Sequence, residues 1–174
     1  MKRILFVLLA LLAACPGASA KGFVIGEKEG QIWVQGKIYF ELDSSALNPK
    51  SSGPLGELAS YLRHHPELKR VEIAVHADER GDPSHYLALT EQRAETLKEF
   101  LELCGVAPER LIAKGYGATE PLDPRHNEEA RAHNRRVDFR ILEKEAALPQ
   151  KEDKEGRPGH KAKRRQTKRR QDRR

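Results

Sequence analysis

From position 71 to 76 the chain alternates, with Val71, Ile73 and Val75 on one side, the period-two pattern of a half-buried strand. Asp78, Glu79, Arg80, Gly81, Asp82 and Pro83 follow, crowding charge and turn formers into one short connection. The pattern then becomes helical. Ala94, Leu97, Leu101 and Cys104 form an apolar stripe, Thr90 is placed as the N-cap, Glu91 falls in the first turn, and Gly105 closes the helix. Cys104 on that stripe reads as a small buried hydrophobe. Upstream, residues 37–40 predict a strand that runs into a turn-rich stretch at 41–53. Leu55, Leu58, Ala59 and Leu62 then recur at helical spacing until Pro66 ends the run. Downstream, 110–114 reads as a third strand, with Gly115, Tyr116 and Gly117 turning out of it. Residues 118–133 read as a polar loop with a helical turn at 128–132. Val137, Phe139 and Ile141 alternate with Asp138 and Arg140, so 136–142 is the last strand. Residues 21–36 are weakly patterned, with Ile32, Trp33 and Val34 as a short strand. The order strand, helix, strand, helix, strand, strand predicts an α+β fold, with helices packed on one face of a small mixed β-sheet.

The two ends of the chain follow other rules. Lys2 and Arg3 precede an apolar run from Ile4 to Ala14, Pro16 breaks it, and Ala18, Ser19 and Ala20 form a small-residue cleavage site. That is an export signal, too short to span a bilayer as a mature helix. Leu12, Ala13, Ala14 and Cys15 also have the form of a lipobox, which would lipidate Cys15; Pro16 directly after it fits cleavage behind Ala20 better. At the other end, residues 151–174 hold 12 Lys or Arg against 4 Asp or Glu, within a chain of formal net charge +6. The folded part is therefore mildly acidic, which excludes a basic nucleic-acid-binding domain. A segment so rich in charge and poor in apolar residues cannot bury a core and is expected to be disordered. The 174 residues thus divide into a signal peptide at 1–20, an N-terminal segment at 21–36, a domain at 37–145 and a basic tail at 146–174.

The candidate chemistry lies around the 76–81 loop, HADERG. It puts an acid, Asp78, at a strand end and a guanidinium, Arg93, on the next helix. Opposite charges facing one cleft suit a ligand that carries both an ammonium and a carboxylate. Arginine grips a carboxylate with two parallel N–H bonds, Asp78 accepts from an ammonium, and backbone N–H groups of the turn from Glu79 to Asp82 add to anion binding. The seven histidines show no metal-ligand spacing, and no Ser–His–Asp or Cys–His arrangement stands out, so neither a metal, a cofactor nor an enzyme is expected.

Several motifs occur together and in order over about a hundred residues: IYFELDSSAL at 38–47, VEIAVHADERG at 71–81, LTEQRA at 89–94, GYGATEP at 115–121 and NRRVDF at 134–139. In these the chain resembles the C-terminal domain of the OmpA family, and within it the peptidoglycan-associated lipoprotein branch. The resemblance implies a non-catalytic domain that holds the peptidoglycan stem peptide through meso-diaminopimelate. The family's paired ligands fall on Asp78 and Arg93, and Phe40 and Asp43 match residues beside its pocket. Ala77 stands where many members have threonine. Tyr86 replaces the usual asparagine, so one polar contact with the ligand changes. The implied setting is the periplasm, against the outer membrane and the cell wall. A second reading gives the binding to the basic tail, acting on an envelope polyanion, with the domain as scaffold. Asn134, Arg135 and Arg136 either face the wall or tie down loops.

Overall fold

The computed structural model describes residues 24–145; the segments expected to be a signal peptide and a basic tail lie outside that range. Five strands form one open mixed sheet in the order β1-β2-β5-β3-β4. They are β1 (Ile25–Lys28), β2 (Gln31–Val34), β3 (Leu68–His76), β4 (Leu111–Gly117) and β5 (Val137–Lys144). Only the β3–β4 pair is parallel. The helices are α1 (Ser52–His64), α2 (Pro83–Leu103) and the short α3 (Glu128–Asn134). Among the described residues no helix is long and apolar enough to cross a membrane.

The expected α+β class, with α1 and α2 on one face of a mixed sheet, is what the chain adopts. Val71, Ile73 and Val75 of β3 point to the helices together with Ile32, Leu111 and Phe139. They meet Leu55, Leu58 and Leu62 of α1 and Ala94, Leu97 and Leu101 of α2, all buried. Each large aliphatic side chain contributes about 1.5–3 kcal/mol by leaving water. Cys104 also lies in this core. Gly105 (φ +86°) ends α2 in the left-handed conformation, and the N–H of Val106 returns to the carbonyl of Leu101 at 3.1 Å.

Four details depart from the sequence reading. Residues 37–39 form no strand, and Phe40 makes only an isolated bridge to Leu47. The sheet gains β1 instead: the segment at 21–36, expected to precede the domain, supplies a hairpin whose Ile32 pairs with Phe139 of β5. The second helix starts at Pro83, not after Thr90. Asp82 caps it by accepting from the N–H of Ser84 at 2.9 Å, and Pro83 opens it, where a missing N–H does no harm. The polar run from Pro83 to Tyr86 hid that first turn. Finally, β4 continues through Gly115 and Gly117 rather than turning out there.

Thr90 is fully buried within α2. Its hydroxyl donates to the carbonyl of Leu87 at 2.9 Å and accepts from the N–H of Gly117 at 2.9 Å, so it joins helix to sheet. Thr90→Val keeps the shape and orphans a buried N–H. It is expected to cost about 1–3 kcal/mol, read as a lower urea midpoint with unchanged slope.

The helix-free face of the sheet is polar. Glu72, His76, Tyr116, Asp138 and Arg140 cover it. The Tyr116 hydroxyl donates to Glu72 at 2.9 Å, and the Tyr116 and His76 rings stack with centroids 5.0 Å apart. Arg140 lies over Tyr116 at 4.9 Å and pairs with Glu120 at 2.8 Å.

Candidate functional site

The site is built where β3 ends. The N–H of His76 donates to Arg136 O at 3.0 Å and that of Ala77 to Gly117 O at 2.8 Å, so the chain leaves the sheet in a fixed direction. Asp78 comes next and is buried, 6 % exposed, unusual for a carboxylate unless it is well paired. It accepts from the N–H of Arg80 at 3.0 Å, from the Arg80 guanidinium at 3.2 and 3.4 Å, and from Arg135 at 2.6 Å. Burial by itself raises the Asp78 carboxyl. The hydrogen bonds from Arg80 and Arg135 outweigh it and hold the group below the usual carboxylate range.

A carboxyl held low in the folded state stabilises the fold above its unfolded pKa, and that contribution is lost as pH falls through the folded value. The window therefore lies below about pH 4. Asp78→Asn is expected to flatten the loss of stability through that acid range, measured by urea unfolding at a series of pH values.

The same loop is laced to α3. Glu79 accepts from Arg131 at 2.9 Å, and Arg135 reaches Glu128 at 3.0 Å with its other nitrogen. Asn127 caps α3 by accepting from the N–H of Ala130 at 2.8 Å. Buried Asn134 pins the preceding loop. Its carboxamide oxygen accepts from the N–H groups of Leu122 and Asp123, and its nitrogen donates to Asp123 O. Arg136 holds Asp138 at 3.0 Å and the carbonyl of Glu120. Of the two readings of this arginine pair, Arg136 ties down a loop and Arg135 grips the candidate ligand residue.

Arg93 projects from α2 toward the 40–47 loop. Its Nε donates to the carbonyl of Ser44 at 2.9 Å, and its guanidinium lies over the Phe40 ring, 4.9 Å from the centroid. Burial lowers its pKa, with Asp43 and Tyr86 acting the other way. Among the described residues neither terminal nitrogen has a hydrogen-bond partner. Asp43 takes a positive φ of 48° and pairs with His85 at 3.0 Å. A cavity of about 260 Å³ opens between Asp43, Ser44 and Ser45 and the α2 residues His85, Leu89 and Gln92.

Phe40, Asp43 and Arg93 thus form one group, and Asp78 and Glu79 a second. No hydrogen bond or ion pair joins Asp78 to Arg93. Tyr86 lies between the two groups. Its ring packs edge-on to His85, centroids 5.3 Å apart, and a Cβ at Gly81 would stand 2.7 Å from it. Arg80, Ser44 and His85 are the participants the sequence reading missed. Ser44 and His85 act on residues 49 and 42 positions away, so no local pattern marks them, whereas Arg80 bonds Asp78 two residues earlier and shows in the sequence only as part of a charged turn.

Among the described residues one group brings three possible metal ligands together: Glu27, His65 and Glu67, with donor atoms within 4.8 Å of one another. Those atoms are already engaged. Glu27 accepts from Lys144 at 2.6 Å and from Tyr61 at 2.9 Å, and His65 Nδ1 meets Glu67 at 2.7 Å. Burial, then the bond to Glu27, pushes the Tyr61 phenol up to about 12, so it stays a donor. The cluster is satisfied without an ion.

The OmpA family model matches residues 39–135. The peptidoglycan-associated lipoprotein of Legionella pneumophila is 40% identical over 100 residues, covering 58% of this chain and 56% of that protein. That of Pseudomonas aeruginosa is 38% identical over 103 residues, covering 59% and 60%. The crystal structure of the peptidoglycan-associated lipoprotein from Burkholderia pseudomallei matches with a TM-score of 0.53 at 34% identity, covering 59% of this chain and 86% of that one. The chain spans less than two thirds of the length of these two curated relatives. With more than half of its length matched by the family model, the chain belongs to the OmpA family.

Proposed function

We propose that this protein binds peptidoglycan without catalysis, holding the meso-diaminopimelate of the stem peptide, and so anchors the outer envelope to the cell wall from the periplasm. The observation that carries the reading is Arg93. Its guanidinium is half-buried, clamped through Nε and stacked on Phe40, and it keeps both terminal nitrogens unclaimed among the described residues. Such a group is preorganised to take a carboxylate by two parallel bonds. Asp78 is the acceptor for the ligand ammonium. Its carboxylate is already full, but the side-chain bonds from exposed Arg80 are its longest, at 3.2 and 3.4 Å, and these yield first. Arg135 stays and keeps the carboxylate oriented. Names carried by relatives, peptidoglycan-associated lipoproteins among them, support the same reading.

The test is cosedimentation of the protein with diaminopimelate-type sacculi. The wild-type chain is expected to pellet, free meso-diaminopimelate to release it, and Asp78→Ala to stay in solution. The reading is overturned if free diaminopimelate does not compete. It is also overturned if salt abolishes pelleting while Asp78→Ala does not, because the binding would then belong to the basic tail.

A further inference from the structure

Away from the Asp78–Arg93 region, the β1–β2 hairpin carries the single tryptophan of the chain. Ile32 and Phe139 point to the helices, so Trp33 and Gln31 stand on the helix-free face of the sheet. Trp33 is 45 % exposed, and its register partner across the hairpin is Gly26. The indole lies across that glycine: a Cβ there would stand 2.6 Å from Nε1, 2.8 Å from Cε2 and 2.9 Å from Cζ2. Any side chain at 26 would lift the ring off the backbone. With glycine there, the ring rests on the sheet and turns its remaining surface to water.

Trp33 shares an open depression of about 270 Å³ with Lys28, Glu29 and Gln31, all exposed. The support beneath is firm. Glu29 and Gly30 both have positive φ, 53° and 76°, the backbone of a tight hairpin turn, and Gly30 O accepts from the N–H of Ile141 at 2.7 Å. Gln31 sits opposite Arg140, whose guanidinium is held by Glu120 and Tyr116.

An exposed indole ringed by an amide, an ammonium and a carboxylate matches a pyranose ring, which has an apolar C–H face and a rim of hydroxyls. A protein partner would call for apolar surface continuing beyond the indole, and here the surroundings are polar. A phosphate would call for net positive charge, and Lys28 lies 3.5 Å from Glu29. We infer that Trp33, Gln31, Lys28 and Glu29 form a saccharide platform that takes an uncharged N-acetylhexosamine unit of a β-1,4-linked glycan. Its assignment to the glycan of the wall rests on the proposed function. The stacking chemistry of the platform does not.

Because Trp33 is the sole tryptophan, its emission reports the site directly. The tetramer of β-1,4-linked N-acetylglucosamine, titrated into the full chain, is expected to give a saturable blue shift with a Kd on the order of 1 mM. Gln31→Ala, at an exposed position outside the core, is expected to weaken binding by about fivefold with the hairpin intact. Trp33→Ala should abolish the heat seen by calorimetry, and because the free oligosaccharide carries no stem peptide, failure of the stem-peptide site leaves this result standing. No saturable shift, or an unchanged titration in both Gln31→Ala and Lys28→Ala, overturns the platform. An equal response to maltotetraose overturns its assignment to the wall glycan.

Discussion

Arg93→Lys is expected to lower retention on diaminopimelate-type sacculi by about 10–100-fold while the protein stays folded. Two parallel charge-assisted bonds to a carboxylate contribute roughly 1.5–3 kcal/mol, and a lysine ammonium reproduces neither the fork nor the Nε bond to Ser44. Losing that Nε bond and part of the stacking on Phe40 should cost the fold only about 1 kcal/mol. Binding and stability therefore separate. Cosedimentation should show a large loss where urea unfolding shows a small one. If the variant pellets like wild type, Arg93 does not hold the ligand. Preservation of charge matters to the design: a purely electrostatic attraction between wall and protein would survive the exchange.

Gly115→Ala should produce the largest loss of stability from a single added methyl, about 3 kcal/mol. Helix α2 crosses β4 so closely at this point that a Cβ would stand 2.2 Å from the N of Glu91 and 2.6 Å from the carbonyl carbon of Thr90. Both are backbone atoms in the middle of a 21-residue helix, so no side chain can rotate away. The helix must lift off the sheet, and the bond between Thr90 and Gly117 lengthens with it. The effect should also reach Arg93, one turn further along the same helix. Loss of urea stability together with weaker retention on sacculi is the expected pair of results. A near-neutral Gly115→Ala would show that helix and sheet are not in register as described.

These two variants also mark what could be read in the chain and what could not. Arg93 is legible as a guanidinium on a helix that follows a strand. Its place after HADERG and within LTEQRA points to one cleft shared with Asp78, but the two sit in separate groups, because Arg93 turns to Ser44 and Phe40 while Asp78 is taken by Arg80 and Arg135. Gly115 was legible only as a glycine. Beside Tyr116 and Gly117 it reads as a turn, because a local window cannot show that the helix backbone at Thr90 and Glu91, 25 and 24 residues upstream, lies across it. Thr90 misled for a related reason. A threonine before a glutamate has the form of a cap, but Asp82 and Pro83 already begin the helix, and the hydroxyl of Thr90 serves the sheet instead. The β1 strand escapes the pattern because its four residues do not alternate, two half-buried ones being followed by two exposed ones.

Short-range repetition and residue chemistry are legible along the chain without any knowledge of its packing. The alternation in β3 and β5, the apolar stripes of α1 and α2 and the glycine stop after α2 all act within a few residues of the chain. The chemical type of Asp78 and Arg93 needs no neighbours to be read. The tertiary structure alone decided which groups those residues meet. Arg135, 57 residues from Asp78, holds its carboxylate, and Ser44, 49 residues from Arg93, fixes its guanidinium. It also decided that the N-terminal hairpin completes the sheet and lays Trp33 across Gly26. Such contacts depend on how whole elements pack, a free-energy balance summed over the entire core, and no stretch of sequence contains it.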